Sequence, residues 1–205
     1  MNEKITKTIK NLERNNMTGY FVNDSTELLT LLSELISTSA SVGCGDSVTL
    51  EQTGVFEFLR SSNYNFYDKH KPGLSSEEKR AIYIKNFSAD VFVTSTSAVT
   101  LDGKLFNIDG NGSRLAPVIY GPPRVIVIVG VNKLADDEAA AIERTRQVAA
   151  PLDAIRLNKE TPCVALGRCI DCNHKQRICN SFVLIARQFT AGRINVIIVN
   201  EDLGY

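Results

Sequence analysis

Hydrophobic positions alternate between two periods along this chain. Ile5, Ile9 and Leu12 recur at helical spacing among lysines and glutamates, which predicts an amphipathic helix over 3–17. Gly19-Tyr-Phe-Val-Asn23 reads as a short strand. Asp24 with Glu27 resembles a capping box, opening a helix that carries Leu28, Leu29, Leu31, Leu32, Leu35 and Ile36. Ala40-Ser-Val-Gly43 leads into a turn at 43–47, and a helix follows from about Val48 to Arg60. Residues 63–68 predict a strand, 75–87 a serine-capped helix and 90–95 a buried strand. Residues 98–107 form two β-like runs joined by Asp102-Gly103, a hairpin signal. Arg124–Gly130 is apolar and β-branched throughout, as in a parallel-sheet strand covered on both faces. An alanine-rich helix over 136–149 and a closing strand over 193–200 complete the pattern. Strands alternating with helices predict an α/β layered domain with a mostly parallel sheet and one antiparallel element.

Composition narrows the function. The 205 residues fit a core over 1–160, a cysteine-rich insertion over 161–180 and C-terminal elements over 181–205 that return to the core. Lys+Arg and Asp+Glu both number 23, so nothing global attracts nucleic acid or an anionic membrane. No apolar run is long enough to span a bilayer, and the N-terminus lacks the apolar core of a signal peptide. The expectation is a soluble cytoplasmic protein, with homo-oligomers allowed.

Four of the five cysteines fall together: Cys163, Cys169, Cys172 and Cys179, separated by five, two and six residues. Soft thiolates at this density suit a metal ion or an iron-sulfur cluster, and Cys-x-x-Cys presents two sulfurs from one turn. An iron-sulfur cluster is preferred over zinc. The spacing matches neither a zinc ribbon nor the bacterial ferredoxin run, so a redox dithiol at Cys169 and Cys172, a disulfide pair and plain buried thiols stay open. His174 is a possible substitute ligand.

Four loops at strand ends carry polar residues suited to one small anion. In the first, Gly43 and Gly45 permit close backbone approach, while Asp46, Ser47 and Thr49 open a helix whose free N–H groups favour negative charge. Ser95 ends the second. The third, 107–114, sets Asp109, Asn111 and Arg114 on a glycine-rich loop, with Arg114 able to bind a carboxylate or phosphate through paired hydrogen bonds. The fourth ends at Lys133, which can neutralise an anion or, when desolvated, act as a base or nucleophile. Asp109 and Lys133 are the candidate catalytic residues. Arg144 and Arg146 read as surface charges. With two histidines, no Ser-His-Asp set assembles.

At these residues the chain resembles the lactate-utilisation (LUD) domain family. The stretches that carry the resemblance are 43–51, 90–95, Ala98-Val-Thr-Leu-Asp-Gly103, Asn107-Ile-Asp-Gly-Asn-Gly-Ser-Arg114, Gly121-Pro-Pro-Arg124, Gly130-Val-Asn-Lys133 and the tail from Pro162-Cys163 to Tyr205. The resemblance implies a fold similar to ribose-5-phosphate isomerases, glucosamine-6-phosphate deaminases and CoA transferases. It also implies a part in oxidising lactate or a similar 2-hydroxy acid, beside iron-sulfur dehydrogenase subunits. No residue stands for the nucleophilic glutamate of the CoA transferases, since Glu51 falls inside the expected helix, and this argues against CoA transfer.

Three functions follow as expectations. The first is an accessory protein or subunit of an iron-sulfur oxidoreductase system. The second is a stand-alone sugar-phosphate or acyl-transfer enzyme with structural zinc. The third is a noncatalytic sensor of an anionic metabolite.

Overall fold

The structure is a computed structural model that describes residues 2–205. Asn2 caps α1 (Glu3–Arg14) by accepting from the Ile5 N–H, and Ile5, Thr8 and Leu12 form its buried stripe. β1 (Thr18–Val22) and α2 (Ser25–Leu35) follow. Asp24 caps α2, but Glu27 reaches back to the N–H of Asn23, one residue ahead of the cap, so the reciprocal capping box is not formed. β2 (Ser41–Cys44) leads into α3 (Val48–Gln52) and α4 (Val55–Ser61). The single helix expected over 48–60 is therefore two. Gly54 sits at φ 71°, a left-handed conformation that ends α3 and starts α4 at low steric cost.

The strand expected over 63–68 shrinks to β3 (Asn65–Phe66). α5 (Ser76–Lys85) carries a full capping box from Ser75 and Glu78, as the serine cap predicted. β4 (Val91–Ser95), β5 (Ala98–Thr100), β6 (Leu105–Asp109), α6 (Ala116–Ile119), β7 (Arg124–Gly130), β8 (Leu134–Ala135) and α7 (Glu138–Arg144) come next. The helix expected to stop at Ala149 instead continues through a π turn over Thr145–Ala149 into α8 (Ala150–Arg156). Pro151, which has no N–H to donate, follows directly on this π turn, where the regular hydrogen-bond ladder is already interrupted. α9 (Pro162–Leu166), β9 (Ser181–Ile185) and β10 (Ile194–Val199) complete the chain.

The main sheet has the order β1-β10-β7-β4-β2-β3, and every neighbouring pair is parallel. Its two faces explain the unbroken apolar runs. Ile126 and Ile128 of β7 pack with Leu28, Leu32, Leu50 and Leu59 from α2, α3 and α4. Val125, Val127 and Val129 pack on the opposite face with Ile5 and Leu12 of α1 and with Val99 and Leu105 of the hairpin. Both faces are dry, so each such side chain contributes about 1.5–3 kcal/mol of burial.

The predicted hairpin is present: β5 and β6 pair antiparallel as part of a second sheet ordered β8-β5-β6-β9. β9 runs antiparallel to β6, and β10 enters the middle of the main sheet between β1 and β7. The segment after the cysteines is thus woven into both sheets.

Candidate functional site

Parallel strands end at one edge, and here β2, β4 and β7 deliver Cys44, Ser95 and Gly130 to the same side. Ligands of open α/β sheets bind at that carboxyl edge. A cleft of about 420 Å³ lies there, within the range of small-molecule sites. Of the residues singled out in the sequence, Asp46, Ser47, Thr49, Ser95, Asp109, Asn111, Arg114 and Lys133 line it.

Lys133 ends a single 3-10 turn after β7 and is only 4% exposed. Its ammonium donates to Thr49 Oγ1 at 2.8 Å and to Ser95 Oγ at 3.3 Å. Burial pushes its pKa down to about 7, and the Arg144 and Arg114 charges push the same way. No acidic group offsets them. Gly204 lies against this group: a Cβ there would come within 2.5 Å of Thr49 Oγ1 and 3.0 Å of Lys133 Nζ. Asn132 holds this segment by accepting from the Leu203 N–H.

Arg114 lines the cleft, and much of its guanidinium is engaged within the protein. Nη1 donates to Ser95 O at 3.2 Å and Asn107 Oδ1 at 2.8 Å, and Nη2 donates to Ile108 O at 2.8 Å. The guanidinium therefore ties β4 to β6, and most of its donors are spent inside the protein. Desolvation lowers its pKa, partly countered by Asp109. Asp109 Oδ1 accepts from the N–H groups of Asn111 and Gly112, while Oδ2 is buried without a hydrogen-bond partner, 3.7 Å from Arg114 Nε. Asn111 spends its amide oxygen on the Ser113 N–H.

The glycine turn contributes to the cleft through Asp46, Ser47 and Thr49 and not through its glycines. α3 has five residues, too short for a strong N-terminal dipole, and the Ser47 hydroxyl is used to cap Leu50 N–H. Gly43 and Gly45 do not line the cleft. A Cβ on Gly43 would strike Asn86, and one on Gly45 would meet Thr94 Oγ1 at 2.5 Å and Arg114 Cγ at 2.9 Å. They are packing spacers. Asp46 pairs with Arg156 at 3.1 Å. Burial raises its carboxyl, but Lys69 and Arg156 outweigh this and hold it below the usual range.

Some site residues escaped the sequence reading. Lys69 is 7% exposed, lines the cleft, and stands 5.4 Å from the Tyr83 ring centre. Burial depresses its pKa, with Asp46 opposing. The signal was available: Asp68-Lys69-His70 follows a strand, like the four loops that were singled out. Arg144 is not a surface charge, because Nη1 donates to Ser97 O at 2.7 Å and Nε to Asn132 O at 3.1 Å. Arg146 is half-buried against Asp171 at 3.2 Å and Cys169 Sγ at 3.9 Å.

Cys163, Cys169, Cys172 and Cys179 are all free thiols and line one small cavity of about 20 Å³. Among the described residues, no three His, Cys, Asp or Glu side chains close on a common point as a metal ion requires. His174 does not line this cavity; its Nδ1 accepts from the Gln176 N–H. Cys44 stays apart in the core, its thiol pushed up to about 12 by burial. No helix among the described residues is long and apolar enough to cross a membrane.

These layers and this edge define an α/β protein with a polar ligand cleft at the ends of a parallel sheet. The chain belongs to the LUD domain family, whose model matches residues 5–199, a family associated with lactate utilisation. A DUF162 family protein from Deinococcus radiodurans shares the fold at 11% identity, with a TM-score of 0.55 over 97% of each chain. A ribose 5-phosphate isomerase from Plasmodium falciparum aligns over 55% of this chain and 52% of its own, at 17% identity and a TM-score of 0.34. No curated protein matches the chain.

Proposed function

We propose that the cleft binds a small carboxylate of the 2-hydroxy or 2-oxo acid class. In this reading the protein serves lactate utilisation as an accessory or subunit beside an iron-sulfur oxidoreductase. The observation that carries the reading is the setting of Lys133: a buried amine with two hydroxyl partners and no acid opposite it. Burying an ammonium without a counter-charge is costly, and a bound carboxylate supplies that charge. When neutral, the same amine can hold the proton of a ligand hydroxyl. Thr49 and Ser95 orient it, and Asp109 offers a second buried oxygen for proton exchange. Electron transfer belongs to the partner in this scheme.

One observation favours a phosphorylated ligand as a second reading. Six Lys and Arg side chains line the cleft against three Asp, an excess that suits more than one negative charge.

Calorimetric titration with lactate, pyruvate, ribose 5-phosphate and inorganic phosphate separates the two. The first reading expects the carboxylates to bind, about tenfold to a hundredfold more weakly in Lys133→Met, the loss of one charged hydrogen bond. Binding of the phosphates alone would transfer the site to the second reading. Unchanged affinity in Lys133→Met would remove both.

A further inference from the structure

We propose that Cys163, Cys169, Cys172 and Cys179 form a tetrathiolate centre for a thiophilic metal, set against the wall of the cleft. The inference is independent of which anion the cleft binds.

The four thiols come from a short helix and a long irregular loop, yet all face one cavity. Between Gly167 and Asn180 the chain has neither helix nor strand, so nothing in regular structure explains why this loop converges there. A second observation points to a metal. The Asp171 N–H donates to Cys169 Sγ at 3.4 Å, two residues on within Cys-x-x-Cys, where a backbone dipole stabilises charge on a bound sulfur. Asp171 takes φ 52°, the conformation that folds this turn back on its first sulfur.

Charge also fits. Four thiols and a divalent ion give a complex of charge −2 and release four protons. Arg146 and Arg177 line the same cavity and share Asp171 between them. Arg177 also donates from Nε to Cys179 O and from Nη1 to Cys172 O, fixing both carbonyls beside their sulfurs.

The cavity of about 20 Å³ has room for one ion, but its four sulfurs do not yet meet at a common point, so binding requires the irregular loop to draw them together. An iron-sulfur cluster needs the same loop to open. Soft-ligand chemistry is common to both, and the test separates them.

Ile108, Ala150 and Arg177 line this cavity and the cleft alike, so a loaded centre fixes one wall of the anion site.

The experiment is anaerobic purification of the full chain, with metal and sulfide analysis, followed by Co²⁺ titration of the metal-free protein. The expected result is one Co²⁺ per chain with the thiolate charge-transfer and visible bands of a tetrahedral site. Cys→Ser at any of the four should weaken Co²⁺ binding at least about tenfold. Cys44→Ala should not. Zinc without sulfide identifies a single ion; iron and sulfide with absorbance near about 400 nm identify a cluster. No Co²⁺ bands at excess metal would overturn the proposal, and so would bands retained in all four serine variants. Two disulfides in protein purified anaerobically, without metal, would overturn it as well. Far-UV circular dichroism checks that each variant folds, and the wild-type titration stands without any variant.

Discussion

The ammonium of Lys133 donates to the hydroxyl of Thr49 at 2.8 Å across 84 positions of chain, joining the end of β7 to the first turn of α3. Both groups are buried, and burial, helped by the Arg144 and Arg114 charges, pushes the pKa of the amine down to about 7.

This has a consequence for stability. The folded pKa of Lys133, about 7, lies below its ordinary value of 10.5. Between these values the unfolded chain binds more protons, so this group makes stability rise with pH. Below about pH 7 its full destabilising cost is present. Urea denaturation between about pH 7 and 9 should show wild-type stability rising relative to Lys133→Met, by on the order of 1–3 kcal/mol. Parallel curves for the two proteins would mean that Lys133 is an ordinary solvated lysine.

Arg114 is expected to matter more for folding than for binding. Arg114→Ala removes a charged donor from Ser95 O, Ile108 O and Asn107 Oδ1 in a largely buried place, where Ser95 O keeps the Thr94 hydroxyl and Asn107 Oδ1 the Ser97 N–H. A loss of about 2–4 kcal/mol follows, read from chemical denaturation midpoints. Arg114→Lys should recover less than half of it, since one ammonium cannot serve three diverging acceptors. Full recovery by lysine would show that charge alone matters there.

Gly103 tests the docking of the hairpin on α1. It takes φ 80°, and a Cβ would stand 2.6 Å from the backbone of Asn11 and Leu12. Those atoms belong to a helix and cannot yield. Gly54 takes φ 71° with nothing within 4 Å of its absent Cβ. Gly103→Ala should therefore cost about 2–4 kcal/mol, against about 1–2 kcal/mol for Gly54→Ala, where only the left-handed backbone penalises the side chain. Equal losses would indicate that the hairpin does not press on α1.

The fold was legible where burial is two-sided. Arg124–Gly130 could be nothing but an interior strand, and Asp102-Gly103 announced its hairpin. Helix boundaries were harder, because Gly54 and Pro151 look alike as breakers. The first splits a helix through its left-handed φ, while the second follows a π turn inside one. At the site, Ser95 and Lys133 were visible as polar ends of apolar strands. Arg144 was not, since an arginine on a helix among glutamates reads as solvated until a neighbouring loop offers its carbonyls. Arg114 lines the cleft, but its internal hydrogen bonds were not visible in the sequence. A sequence shows that a guanidinium is present near a cleft, not that three acceptors already occupy it.

The proposed role of Lys133 is that of a half-neutral buried amine that binds an anion. Its most direct test is a pH titration of the lysine side chains by NMR, using ¹³Cε-labelled lysine and Lys133→Met to assign the signal, with and without a saturating carboxylate or phosphate. The account predicts one resonance that titrates at about 7 in the free protein and moves upward when the anion binds. A Lys133 signal titrating near its ordinary value, or one that no anion shifts, would contradict it.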